Sequence, residues 1–215
     1  MYIGNAEFVL SSLIESTMLR RNYITFIDID DTVFKTSTDV LVKDEDGKIV
    51  KQLNSFDYNN YILRPGEYFD YSQFRNSEAF ANTAKPMPST LHKINRLLNI
   101  VRLKQGVDKI IFLTARADMD DKQLFLSTFR KAGIPVDNED IIYIERAGNI
   151  KNMPTPEAKA YIIKKYLNTN RFNVVRMIDD SANNLDSFLD LKDDYPELKF
   201  IAIQVTPNGN LRGYR

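Results

Sequence analysis

The sequence predicts an α/β fold: a Rossmann-like three-layer sandwich with a five-stranded parallel sheet, plus a small hairpin and cap insertion after the first strand. Three observations predict it. Five short runs are almost continuously apolar, as strands covered on both faces require. The segments between them carry apolar residues at three- and four-residue spacing, the period of a helix buried on one side. One stretch, residues 35–88, breaks the alternation and reads as an insertion within a single domain spanning residues 1–215.

Taken in order, Asn5 to Arg20 places Leu10, Leu13, Ile14 and Met18 on one helical face, interrupted by Glu7 and Glu15, and is expected to pack on the domain. Tyr23 to Ile29 is the first strand. Within the insertion, Val40 to Val42 and Ile49 to Val50 flank Asp46-Gly47, a hairpin turn signal. An aromatic segment follows with Tyr58, Tyr61, Tyr68, Phe69, Tyr71 and Phe74, too long for a plain loop, so a small cap is expected. These rings are expected to pack the cap itself. Leu91, Ile94, Leu98 and Val101 then mark a helix, with the single histidine, His92, on its surface or boundary, and Lys109 to Leu113 a strand. Phe125, Phe129 and Ala132 mark the next helix, stopped by Gly133 and Pro135. Ile141 to Ile144 is a strand, and Ala160, Ile163 and Leu167 lie on a helix. Val174 to Ile178 is the fourth strand; a short helix from Ser181, its N-cap, to Leu191 leads to the fifth, Phe200 to Val205. The tail from Pro207 to Arg215 is expected to be partly free.

Composition narrows the chemistry. The 215 residues include 29 Lys+Arg, 29 Asp+Glu, one His and no Cys. That excludes a disulfide scaffold, a cysteine nucleophile and a thiolate metal cluster, and disfavours any site built from several imidazoles. A zero formal net charge disfavours nucleic-acid binding through bulk positive charge. No apolar run approaches the ~18 residues a membrane span needs, so no membrane partner and a cytoplasmic protein are expected. Any catalysis must then fall to Asp, Glu, Lys, Ser, Thr or Tyr.

Two acidic clusters stand at strand ends. The first strand closes in Asp28-Ile29-Asp30-Asp31-Thr32, and the fourth runs into Asp179-Asp180-Ser181. Two like charges about 4 Å apart repel by ~4 kcal/mol at an effective dielectric near 20, so such clusters call for a cation, and oxygen ligands suit Mg²⁺. Between them, the second strand delivers Thr114-Ala115-Arg116, and Lys159 sits in the expected first turn of a helix. In an open parallel sheet, ligands bind beyond the carboxyl ends of the strands, where Asp28, Asp30, Thr114, Asp179 and Asp180 all lie.

With these residues in this order, the sequence resembles the haloacid dehalogenase superfamily of phosphohydrolases, from about Tyr23 to Val205. Asp28-x-Asp30-x-Thr32 matches its first motif, Thr114 the second, Lys159 the third and Asp179-Asp180 the fourth. The resemblance implies an Mg²⁺-dependent phosphomonoester hydrolase. Asp28 is then the nucleophile that forms an aspartyl-phosphate, and Asp30 the acid and base. Asp28, the main-chain carbonyl of Asp30, and Asp180 hold the metal, with Asp179 a further ligand or a group behind it. Thr114 and Lys159 bind the phosphoryl oxygens, and Arg116 touches the phosphate or the leaving group. Asp31 stands where a glycine is often found, and Asn183 and Asn184 where some members carry another acid. Lys151 is a rival of Lys159, without its helix context. In motif style the chain is nearest to deoxyribonucleotidases and polynucleotide 3′-phosphatases, which implies a nucleotide or a nucleic-acid phosphate end as substrate, with no obligatory protein partner.

The alternatives are a phosphatase of a sugar phosphate or other small metabolite, and a non-catalytic phosphate- or nucleic-acid-binding protein on the same fold. A phosphorylated receiver module has a different residue order, with its acceptor Asp on the third strand and no acidic pair after the Lys.

Overall fold

The computed structural model describes residues 21–104, 107–138 and 142–214. The expected helix from Asn5 to Arg20 lies outside the described residues. Strand β1 (Tyr23–Ile27) opens the core, its residues after Tyr23 all buried. The insertion follows. Two short strands, β2 (Phe34–Lys35) and a later partner, form its stem. Between them come β3 (Val40–Lys43), β4 (Ile49–Leu53), α1 (Ser55–Asn60), β5 (Tyr68–Asp70), α2 (Ser77–Thr83) and the stem partner β6 (Lys85–Pro86).

Beyond it the chain alternates as the periodicity predicts: α3 (Pro88–Leu103), β7 (Lys109–Thr114), α4 (Lys122–Lys131), β8 (Ile142–Arg146), α5 (Thr155–Leu167), β9 (Val174–Asp179), α6 (Ala182–Asp190), β10 (Lys199–Val205) and β11 (Leu211–Tyr214). Pro88 begins α3, where its missing N–H costs nothing, and the side chain of Asp121 accepts from the Gln123 and Leu124 amides to start α4. Ser181 caps α6 as expected, accepting from the Asn184 amide.

The main sheet has the order β11-β10-β9-β1-β7-β8. Five strands are parallel, as the apolar runs require. The sheet nevertheless has six strands, not five, because the tail expected to be partly free forms β11 antiparallel to β10. The turn that allows this is Thr206 to Asn210, where the Thr206 amide bonds the Asn210 carbonyl at 2.9 Å and Gly209 takes φ 77. Asn208-Gly209 is the kind of pair that specifies such a hairpin.

Helices cover both faces. Ile27, Ile110, Phe112 and Ile178 face α3 and α4, meeting Ile94, Leu98, Phe125 and Phe129. Ile24, Phe26, Ile111 and Met177 face α5 and α6, meeting Ile162, Ile163, Leu185 and Phe188. Alternation along β1 therefore assigns Asp28, next in the parity of Ile24 and Phe26, to the α5/α6 side.

The insertion is a three-stranded antiparallel sheet, β4-β3-β5, on the two-stranded stem. Its hairpin turns at Asp44 to Lys48, with Gly47 at φ 79. The third strand, β5, is three residues long, too short to show an alternation. The aromatic rings pack on one another: Tyr58 lies 4.9 Å from Phe69, and both join Tyr61 and Phe74 around Val40, Val42 and Leu53. Phe80 of α2 instead enters the main core, 4.9 Å from Phe125. Among the described residues no helix is long and apolar enough to cross a membrane.

Candidate functional site

From β1 the chain builds outward through β7 and β8, then crosses to the other side for β9 and β10. The order reverses between β1 and β9, the kind of switch point beyond whose carboxyl ends open parallel sheets bind ligands. Asp28 follows β1, its amide bonded to the Ile178 carbonyl at 2.9 Å; Asp179 ends β9. The structure brings together Asp28, Asp179 and Asp180, whose carboxylate oxygens lie within 4.8 Å of one another. Lys159 projects between two of them, its Nζ donating to Asp28 Oδ1 at 2.6 Å and Asp179 Oδ2 at 2.8 Å. Lys159 is the fifth residue of α5, hence in its second turn rather than the first. Lys151 is exposed and makes no ion pair among the described residues.

Asp179 is committed within the protein. Its Oδ1 accepts from the Ser181 amide at 2.9 Å, and Asn184 Nδ2 donates to both its oxygens, at 3.0 and 3.2 Å. It holds Lys159 and Asn184 in place and has little capacity left for a metal. Asp180 has more: Thr32 Oγ1 donates to its Oδ1 at 3.4 Å, and Gln204 Nε2 anchors its main-chain carbonyl at 3.1 Å.

Three carboxylates face one ammonium here, which leaves two negative charges uncompensated. A divalent cation matches that deficit, and an all-oxygen donor set suits Mg²⁺. The residues present therefore fit the metal, with Asp28 and Asp180 as the carboxylates free to hold it.

The electrostatics follow the same crowding. Burial raises the Asp28 carboxyl well above its ordinary value; Lys159 opposes this, and Asp179 and Asp180 add to it. Burial, then Asp179, push the Asp180 carboxyl up to about 7. Burial alone would lower the Lys159 ammonium, but Asp179 and Asp28 outweigh it and hold the ammonium above its ordinary value. Lys159 is the fixed positive charge, and the carboxylates compete for it.

A stability prediction follows for the metal-free chain. A carboxyl raised in the folded state keeps a proton that the unfolded chain has released, so its contribution is full below the ordinary 3.8 and is lost as pH rises through about 7. The thermal midpoint in chelator should fall across that interval more steeply for the wild type than for Asp180→Asn. Equal slopes in the two proteins would refute this account of Asp180.

Asp30 is not part of the three-carboxylate group. Arg116 grips it with one edge of the guanidinium, Nε to Oδ2 at 2.8 Å and Nη2 to Oδ1 at 2.6 Å, and Thr36 Oγ1 adds a bond at 2.8 Å. Arg116 is 1% exposed. Its Nη1 donates to the Phe74 carbonyl at 2.8 Å, its Nη2 also to Thr38 Oγ1 at 3.0 Å, and Cζ lies 5.0 and 4.8 Å from the Phe74 and Phe80 rings. Every guanidinium nitrogen is thus bonded within the protein, which differs from the expected direct contact of Arg116 with a phosphate or leaving group. Thr114, buried at the end of β7, accepts from the Arg116 amide at 3.0 Å and fixes this turn. Gly148 packs so closely against the same turn that a Cβ would lie 2.3 Å from the Ala115 carbonyl oxygen.

Two departures from the motif pattern gain a physical account. Asp31 takes φ 53, the left-handed region that favours glycine and that Asp tolerates better than most residues. Asn184 is buried on Asp179, whereas Asn183 is exposed. Sequence reasoning left the role of Asn184 open, named Thr32 only as part of the first motif, and did not single out Thr36, Thr38 or Gln204. The hydroxyls at Thr36 and Thr38, two residues apart, were the available signal for two of these three.

No protein-family model matches the chain, and no curated protein is similar to it.

Proposed function

We propose that the chain is an Mg²⁺-dependent phosphomonoesterase of the haloacid dehalogenase type, acting through a phosphorylated Asp28. The observation that carries this reading is a buried carboxylate at the topological switch point, 2.6 Å from a buried ammonium and grouped with two further carboxylates. Asp28 Oδ attacks phosphorus, and the bond to the leaving oxygen breaks as Asp30 donates a proton to it. Asp30 then takes a proton from water, whose oxygen attacks the phosphoryl group and releases Asp28 and inorganic phosphate. For Asp30 to hand over a proton, its bonds to Arg116 must loosen, so Arg116 both aims and restrains it. In this reading Lys159 and Thr114 bind equatorial phosphoryl oxygens, the former offsetting negative charge as it builds. Mg²⁺, which Asp28 and Asp180 would hold, would neutralise part of the negative charge of the carboxylates and the phosphate.

The expected result is Mg²⁺-dependent release of p-nitrophenol from p-nitrophenyl phosphate, abolished by chelator and restored by added Mg²⁺. Metal-independent turnover, or none at all, would overturn the reading. For the substrate class we propose a nucleotide or nucleic-acid phosphate end, supported by the exposed ring of Tyr71 on the insertion, a residue whose carbonyl accepts from the amide of the site's Phe74. Comparing 5′- and 3′-nucleotides, a 3′-phosphorylated oligonucleotide and sugar phosphates tests it; a preference for sugar phosphates would refute it.

A further inference from the structure

A second charged site lies in the other half of the sheet. Near the amino ends of β1, β7 and β9, beneath α3, a cleft of about 70 Å³ is lined by Tyr23, Thr25, Ile100, Lys93, Arg96 and Arg176, among others. Arg176 is three residues before Asp179 on β9, ~10 Å along the strand, and its side chain lies on the opposite face of the sheet. The cleft is therefore distinct from the carboxylate centre.

Arg176 is out of place by ordinary packing rules. It is 6% exposed on a strand whose other members are buried, in register beside Thr25. Its Nη1 donates to Thr25 Oγ1 at 3.2 Å, and its Cζ lies 5.3 Å from the Tyr23 ring. No carboxylate pairs with it among the described residues. The acid nearest in the lining, Asp108, is already taken by Lys104 Nζ at 2.5 Å and the Tyr23 amide at 2.9 Å. Lys93 and Arg96, one helical turn apart on α3, add two more cations that form no ion pair among the described residues. Burial, then repulsion from Arg176 and Arg96, holds the Lys93 ammonium below its ordinary value.

A buried cation with no ion-paired carboxylate is expensive; Asp108 offsets Arg176 only at a distance, and Lys93 and Arg96 share its opening. The rest of the wall is largely apolar, with Leu97, Ile100, Val101 and Ile110. The space exceeds several times what a single water needs. We propose that this cleft binds a small organic anion, a phosphate- or carboxylate-bearing molecule with an apolar body, whose charged group meets Arg176, Lys93 and Arg96. Such a site stands whether or not the carboxylate centre hydrolyses phosphate esters.

The test uses the full chain in chelator, so that the excess of carboxylates over Lys159 repels anions from the other centre. Phenylphosphonate, benzoate and inorganic phosphate are titrated by calorimetry against wild type, Arg176→Met, the Lys93→Ala/Arg96→Ala double variant and Asp28→Asn. Saturable binding of phenylphosphonate or benzoate is expected, at least about tenfold weaker in Arg176→Met and in the double variant and unchanged in Asp28→Asn. The unliganded Arg176→Met protein should melt at or above the wild-type temperature, since methionine fills the space without a charge, and the anion should stabilise only the wild type. Binding that survives both cation-removing variants, or no saturable binding at millimolar anion, overturns the proposal. Equal affinity for inorganic phosphate overturns its apolar part. If Arg176→Met fails to fold, the double variant, whose changes fall at a half-buried and an exposed position of α3, decides alone.

Discussion

Asp28→Asn should reduce Mg²⁺-dependent turnover of p-nitrophenyl phosphate by on the order of 10⁴-fold or more, because it removes the proposed nucleophile itself. Asparagine keeps the size of the side chain, but its amide oxygen is a poor nucleophile. The same change should not weaken the fold. Asp28 is one of three carboxylates sharing a single ammonium, and its burial already favours the uncharged form. A neutral isostere relieves repulsion while leaving Lys159 bonded to Asp179. In chelator, Asp28→Asn should therefore melt at or above the wild-type temperature, and Mg²⁺ should raise its melting point less than it raises the wild type's. Activity lost in a protein at least as stable as its parent separates a chemical role from a structural one. A folded Asp28→Asn protein with a tenth of the wild-type rate would remove Asp28 from the nucleophile's place.

The parts of this site that were legible in the sequence belong to the sheet. Ile24 to Ile27 and Val174 to Ile178 are buried, so apart from Thr25 and Arg176 their residues are apolar, and an Asp at the end of such a run is conspicuous. Chain order then placed Asp28 beside Asp179 without any knowledge of side-chain contacts. Lys159 was legible because an amphipathic helix preceding β9 has few ways to orient. What the sequence hid depends on the insertion. Thr38, Phe74 and Phe80 surround Arg116 and Thr36 bonds its partner Asp30, yet they come from segments whose packing partners lie up to 78 residues away and whose spacing has no period. An arginine in a turn also reads as a solvated residue, and nothing in Thr114-Ala115-Arg116 announces that the side chain is 1% exposed. Arg176 was hidden for the converse reason: it interrupts an apolar run without changing its strand character. β11 was missed because four residues, Leu211–Tyr214, alternate too briefly to register, although Asn208-Gly209 marked the turn.

Arg116 therefore carries the second large expected effect. Arg116→Ala removes the fork that holds both Asp30 oxygens, the bond to the Phe74 carbonyl and the filling between the Phe74 and Phe80 rings. Breaking a buried charge pair by deleting one partner costs about 3 kcal/mol or more, so the melting temperature should drop clearly. The catalytic effect is separable from that loss. If Arg116 aims Asp30 at the leaving oxygen, then below the variant's melting transition kcat on p-nitrophenyl phosphate should fall ~100-fold, the range a positioned acid and base supplies, with a much smaller change in KM. Arg116→Lys should recover little, since one ammonium cannot reproduce two parallel N–H bonds and stack between two rings. Millimolar methylguanidinium should restore part of kcat in Arg116→Ala by re-forming the fork, a response that lost packing alone would not show. A folded Arg116→Ala protein with wild-type kcat would reduce Arg116 to a strut between β7 and the insertion, and would leave Asp30 to be oriented by Thr36 alone.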